Sequence, residues 1–121
     1  MKFAAIFAII VGAGMIGQWT MSYITKQIPE LKSEPYRIAF HLAGEMATAI
    51  LLIVAGAAVL SAQSWGLIVY LLAMGMLFYT VIVSPGYFAQ KGQWVWVAIF
   101  AVLLVLAVFS AITVWNSIAN L

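Results

Sequence analysis

The sequence has no cysteine and very little charge, and both absences restrict what the chain can be. Without cysteine there is no disulfide, no thiolate metal site and no thiol nucleophile. Charged residues make up 7% of the 121 residues and hydrophobic residues 67%, whereas an average soluble domain is about 25% charged. Because three acids and five bases cannot cover a water-facing surface, we exclude a soluble globular protein.

Basic residues and metal ligands are also scarce. The net charge of +2 is too small for the basic stripe that nucleic-acid binding needs, so no nucleic-acid partner is expected. The single histidine, His41, excludes a haem held by two histidines of one chain. His41 and Glu45 together supply two ligands, so we predict no metal site. No hydrolase motif, phosphate-binding loop or catalytic carboxylate pair is present; we predict no catalytic residue, and the sequence identifies no cofactor.

Long apolar runs fill most of the chain. A helix crosses the hydrocarbon core of a bilayer with about 20 apolar residues. Because lipid offers backbone groups no hydrogen-bond partners, such runs must be helical. The connections between them are short, which makes successive helices antiparallel. We therefore predict an all-α membrane protein, a single up-and-down bundle of four transmembrane helices over residues 1–121. The predicted spans are residues 3–25, 38–60, 65–83 and 94–115.

Proline, glycine and serine mark the connections between these spans. Residues 26–37 (KQIPELKSEPYR) and 84–92 (SPGYFAQKG) are polar and contain proline, which predicts loops. Residues 61–64 (SAQS) predict a tight turn. The two longer loops carry most of the basic residues, whereas Lys2 lies on the opposite side. The positive-inside rule then places these loops in the cytoplasm and both chain ends outside a plasma membrane.

The second span carries an unusual polar face. Arg37, His41, Glu45 and Thr48 fall within about 80° of one another around a helix. Arg37 lies at the membrane boundary, where we expect it to anchor the helix at the interface. Glu45 lies roughly 6 Å from the centre of the span, where a charged group costs roughly 2.5–3.5 kcal/mol to insert. We therefore expect this face to point at protein rather than lipid. Glu45 is then protonated, ionised and paired with His41 or Arg37, or beside a wet cavity.

The first span has polar residues at matching depths. In an antiparallel hairpin, Gln18 lies at the level of Glu45, and Ser22 at the level of His41. We expect hydrogen bonds between the members of each pair. From the third span, Tyr79 lies close to the level of His41.

Small residues form two ridges with a spacing of four. Such ridges let helices approach closely. We expect one ridge to pack inside the bundle and the other to serve contacts between chains, in a homodimer or a larger membrane complex. The ridges are Ala4, Ala8 and Gly12 in the first span and Ala39, Ala43 and Ala47 in the second.

Residues 37–86 resemble the small four-span DoxX-like membrane proteins, through a mid-span glutamate followed by small and aliphatic residues (EMATAILLIVAG, 45–56). The whole chain also resembles short archaeal and bacterial membrane proteins without an assigned function, through PELKSEPYRIAFHLAGE and IVSPGYFAQKG. Some DoxX-like relatives are associated with quinone-linked oxidoreductase complexes. The resemblance therefore implies a role beside a redox partner.

Two classes of function remain open. The first is an intramembrane polar pocket that binds a small amphipathic ligand, such as a quinone or a lipid, or that passes a proton or cation. The second is an accessory or assembly subunit without chemistry of its own; an enzyme acting alone is the least expected. The predicted pocket residues are Glu45, His41, Gln18, Ser22, Thr48 and Tyr79.

Overall fold

A computed structural model describes residues 1–121 and confirms the all-α, four-helix fold. Each long helix, with α4 taken together with α5, is long and apolar enough to cross a membrane. No strand is present. The helices are α1 (Lys2–Ile24), α2 (Glu30–Ser33), α3 (Pro35–Leu60), α4 (Gly66–Val83), α5 (Pro85–Gln90) and α6 (Trp94–Ala119).

The four long helices form a closed ring. Helix α1 packs against α3 and α6, and α4 packs against the same two helices, so that α1 and α4 are diagonal to each other. We call the end that holds the α1–α3 and α4–α6 connections the basic end, because Lys26, Lys32, Arg37 and Lys91 lie there. The opposite end holds both chain termini and is called the terminal end.

The core runs along the centre of the bundle, from Ala4 and Tyr70 toward the terminal end to Leu77 and Val81 toward the basic end. Tyr70 is fully buried there, and its hydroxyl donates a 2.7 Å hydrogen bond to the carbonyl oxygen of Ala4. This bond joins the diagonal helices α1 and α4. It also satisfies a polar group that would be costly to bury alone.

Helices α1 and α3 cross at two glycines. A Cβ atom added at Gly12 would lie 2.6 Å from the carbonyl oxygen of Ala49, and one added at Gly56 would lie 2.6 Å from that of Ala5. Such distances are far below van der Waals contact, so only glycine allows this approach. The α1 ridge of small residues, which includes Gly12, is therefore the one buried inside the bundle. The α3 ridge at residues 39, 43 and 47 is exposed.

The helix boundaries differ from the predicted ones beside the prolines. Helix α3 begins at Pro35, not at residue 38, and the predicted loops contain the short helices α2 and α5. Pro35 and Pro85 lie in the first turn of α3 and α5, where a missing N–H has no intrahelical partner to lose. In both places a proline that was assigned to a loop therefore begins a helix.

Three helices end with a left-handed residue. Lys26, Ala62 and Gly92 have φ angles of 57°, 56° and 73° after α1, α3 and α5. After α3, the next N–H, that of Gln63, bonds back to the carbonyl of Ala58 at 2.9 Å, and the other two ends have the same pattern. These are Schellman motifs, which reverse the chain in few residues. Only one of the three uses glycine.

Candidate functional site

A groove of about 460 Å³ lies between α3 and α4 near the basic end. It opens on the outer face of the bundle, because Phe40 and Tyr79 in its walls are 79% and 71% exposed. We call it the α3–α4 groove. Its walls are formed by Phe40, His41, Gly44, Glu45 and Thr48 from α3, and by Met76, Tyr79, Thr80 and Val83 from α4, with Ser84 beyond the end of α4.

The deep wall of the groove is polar. Glu45 is only 5% exposed, and Thr48 is buried beside it. His41, Glu45 and Thr48 share one face of α3 because they are spaced by four and three residues. The sequence pattern placed these residue types on one side of a helix, and the structure turns that side toward α4.

His41 and Glu45 form a close pair. The Nε2 atom of His41 lies 3.4 Å from the Oε1 atom of Glu45. The distance is longer than a typical hydrogen bond, and the pair becomes an ion pair when the imidazole is protonated. The His41 side chain is 43% exposed, so it lies between the buried carboxyl and the surroundings of the bundle.

Arg37 does not join this pair. Its Nη1 atom lies 3.4 Å from Oε1 of Glu34, and both side chains are exposed at the basic end. Of the two partners considered for an ionised Glu45, the structure therefore brings only His41 to the carboxyl. Arg37 lies at the helix end, outside the groove.

Helix α1 contributes Trp19 rather than the predicted polar residues. The indole ring of Trp19 packs edge-to-face on His41, with centroids 5.6 Å apart, and its N–H approaches the Glu45 carboxyl. Gln18 is exposed and Ser22 is partly exposed, and neither side chain forms a hydrogen bond with Glu45 or His41. The Gln18 bond is absent because adjacent helix residues differ by about 100° in direction, so that Trp19 faces α3 and Gln18 turns away. Ser22 lies three residues beyond Trp19 on the same side of α1, but it is the Trp19 ring that packs on His41.

Two polar groups on the α4 side of the groove were not predicted. Thr80 and Ser84 line the groove together with Tyr79. Thr80 and Ser84 are four residues apart, a spacing that places them on the same side of a helix and that could have identified them. The Thr48 hydroxyl, on the α3 side, donates a 2.8 Å hydrogen bond to the carbonyl oxygen of Gly44.

The polar lining ends at Thr48. Toward the terminal end, the buried side chains of α3 and α4 are apolar, apart from Tyr70, whose hydroxyl is already bonded to α1. No three side chains that could hold a metal ion come together. A second surface depression, over α6, is lined by hydrophobic residues of that helix alone. The α3–α4 groove is thus a polar site that is closed toward the terminal end.

The comparisons with known proteins identify a family whose function is unknown. Residues 1–120 match the family described as Domain of unknown function (DUF8058). The chain belongs to this family. No curated protein and no solved structure matches the chain significantly. The resemblance to DoxX-like proteins therefore stays a prediction. A function for this DUF8058 protein must be inferred from the residues and the shape of the groove.

Proposed function

We propose that this DUF8058 protein is an integral protein of the plasma membrane that binds a small amphipathic ligand in the α3–α4 groove. The observation that carries the proposal is the buried Glu45 carboxyl in the wall of a groove that opens sideways. Intramembrane ionisable groups cost free energy to insert and mark functional sites by default.

The size and lining of the groove suit an amphipathic molecule. Its volume of about 460 Å³ lies within the roughly 300–1,000 Å³ of common ligand pockets. Polar groups form the deep wall, while Phe40, Met76 and Val83 offer apolar surface. A molecule dissolved in the bilayer reaches a sideways opening without crossing water. Quinones and lipids have this combination of a polar head and an apolar tail.

Passage of a proton or cation across the membrane has weaker support. A pathway needs polar groups or water from one side to the other. The polar lining stops at Thr48, and beyond it the buried side chains of α3 and α4 are apolar apart from Tyr70, whose hydroxyl is bonded to Ala4. These features favour binding from one side of the bilayer over transport through the bundle.

The distribution of basic residues supports an orientation. With the basic end in the cytoplasm, the groove lies in the cytoplasmic half of the bilayer and both chain ends lie outside. Arg37 then anchors α3 at the headgroups.

An accessory subunit is the second candidate. The small-residue ridge of α3 at residues 39, 43 and 47 is exposed, and such ridges let another helix approach closely. A homodimer or a larger membrane complex would cover it. A stoichiometric protein partner that survives purification in mild detergent would favour this function.

Photo-crosslinking tests the binding proposal. We suggest three probes that share a twelve-carbon tail with a diazirine group and carry a quinone, phosphocholine or ammonium headgroup. At least one is expected to label peptides that contain Glu45 or Thr80. Gly44→Leu should reduce this labelling, because a Cβ at Gly44 meets no atom within 4 Å and the side chain would fill the groove.

Gly75→Leu is the matched control. Gly75 is also exposed, a Cβ there also meets no atom within 4 Å, and the residue does not line the groove. Labelling should be unchanged in this variant. Equal labelling in Gly44→Leu and the unaltered chain, or no labelling of groove peptides by any probe, would remove the groove as a binding site.

A further inference from the structure

We infer that the groove prefers an amphiphile whose headgroup is positively charged and donates hydrogen bonds, as an alkylammonium does. The inference rests on the proposed function and narrows it from amphipathic ligands in general to one headgroup chemistry. It follows from the charges and the hydrogen-bonding capacity of the residues that line the groove.

The groove contains an acid and no permanently charged base. Glu45 is the one carboxyl in its walls, and none of the lysines or the arginine lines it. Arg37 is paired with Glu34 at the helix end. Lys91 donates to the hydroxyl of Tyr87 at 2.6 Å and lies over the same ring. A cationic headgroup would therefore favour the ionised form of Glu45 and serve as its counter-charge, whereas an anionic one would meet a carboxyl and no lysine or arginine.

The deep wall offers more hydrogen-bond acceptors than donors. The Thr48 hydroxyl uses its proton on Gly44 and is left as an acceptor. A carboxylate has about four acceptor positions, and at most two donors of the chain, those of His41 and Trp19, lie near Glu45. The proton between Nε2 of His41 and Oε1 of Glu45 can be bonded to either atom. In both cases the other carboxyl oxygen of Glu45 remains an acceptor. A ligand group that reaches this deep wall must therefore bring donors, whereas the hydroxyls of Tyr79, Thr80 and Ser84 on the opposite side of the groove can donate or accept.

The mouth of the groove is also suited to a cation. The rings of Phe40 and Tyr79 are exposed there, and a cation is attracted to the face of an aromatic ring. A phosphate beside the ammonium group, as in phosphatidylethanolamine, would add a negative charge near Glu45 without a basic partner. The inferred ligand is therefore a simple lipophilic amine and not a zwitterionic phospholipid.

A competition series tests the headgroup directly. The full chain in phosphatidylcholine nanodiscs is labelled with the diazirine-tailed ammonium probe, and labelling is competed with unlabelled compounds that share a dodecyl tail. Dodecylammonium should halve labelling at a concentration roughly tenfold or more below that of dodecanol or dodecanoate, a difference of about 1.4 kcal/mol in binding free energy. Dodecyltrimethylammonium keeps the charge but has no N–H, so the concentration at which it halves labelling should lie between that of dodecylammonium and those of dodecanol and dodecanoate. Added phosphatidylethanolamine should not compete.

Glu45→Gln and Glu34→Gln form a matched pair of variants. Both remove one negative charge without changing the size of the side chain, but Glu34 is exposed and lies outside the groove. Glu45→Gln should abolish the preference for ammonium, and Glu34→Gln should keep it.

Two outcomes overturn the inference. One is competition by dodecanoate or dodecanol that equals competition by dodecylammonium, and the other is an unchanged ammonium preference in Glu45→Gln. The first needs no variant and so does not depend on how a substitution folds. If Gly44→Leu still reduces labelling but the headgroup of the competitor does not change its potency, ligand binding in the groove is supported and only the headgroup inference fails. If Gly44→Leu blocks nothing, the proposed function fails as well.

Discussion

Helix α3 has two contrasting interfaces. Against α1 it is sealed, because Gly12 and Gly56 let each backbone approach the other helix until a single added carbon would clash. Against α4, near the basic end, it leaves a groove of about 460 Å³ in which Gly44 has open space around it. The sealed interface holds two helices together, and the open one exposes a carboxyl that the bundle otherwise buries.

The comparison shows that the same residue type serves opposite purposes in one protein. Gly12 lies in an apolar run and Gly44 lies beside Glu45, but neither local sequence shows whether a neighbouring helix fills the space at the glycine. At Gly12 another helix occupies the space that a side chain would take, and its contacts contribute packing. At Gly44 this space is empty, so it contributes nothing to stability and leaves room for a ligand. Substitutions at matched positions can test this difference.

The largest effect is expected from Gly12→Ala, for which Gly44→Ala is the counterpart in the open interface. Gly12→Ala should lower the free energy of unfolding by roughly 1–3 kcal/mol, because the added methyl group must push α3 away. Gly44→Ala should leave it unchanged or raise it by up to about 1 kcal/mol, since alanine favours the helix and meets no neighbour. Unfolding of the purified chain in detergent micelles with increasing dodecyl sulfate measures both.

Gly14→Ala controls for the effect of alanine on α1 itself. Gly14 is two residues from Gly12, and a Cβ there meets no atom within 4 Å. This variant should be at least as stable as the unaltered chain. Equal stabilities for Gly12→Ala and Gly14→Ala would mean that α1 and α3 do not approach as closely as described.

A smaller effect is expected from two tyrosine substitutions that extend the comparison to α4. Tyr70→Phe removes the buried hydrogen bond to Ala4 and should cost roughly 0.5–1.5 kcal/mol in the same unfolding measurement. Tyr79→Phe removes an exposed hydroxyl at the mouth of the groove, which forms no hydrogen bond within the chain. The free energy of unfolding of this variant should equal that of the unaltered chain. A larger loss for Tyr79→Phe than for Tyr70→Phe would reverse the assignment of core and groove.

The smallest effect concerns the turn that joins α3 to α4 at the end away from the groove. Ala62 holds a left-handed conformation there, which disfavours residues other than glycine by roughly 1–2 kcal/mol. Ala62→Gly should relieve this strain and so raise the free energy of unfolding. The gain should not exceed about 1 kcal/mol, because glycine loses more backbone entropy on folding than alanine does. Labelling of the groove by the ammonium probe should not change. A loss of stability in this variant would contradict the assigned turn geometry.

Much of the fold could be predicted, but the partners of Glu45 could not. Four long apolar runs predicted the four helices, and the spacing of His41, Glu45 and Thr48 predicted one polar face. The depth of Gln18 suggested it as the partner from α1, yet Trp19 occupies that place. Depth along a helix follows from counting residues, whereas the direction of a side chain depends on the rotation of the helix about its axis. The contacts at Gly12 and Gly56 set that rotation.

The sequence by itself determined that the chain forms four long apolar helices, because its apolar runs are long and continuous and short polar connections separate them. It also determined that one acid lies deep within a helix. Only the tertiary structure decided that α3 meets α1 without a gap and meets α4 with one. A gap is the space that several helices leave when each has found its closest packing elsewhere, and no single helix encodes it.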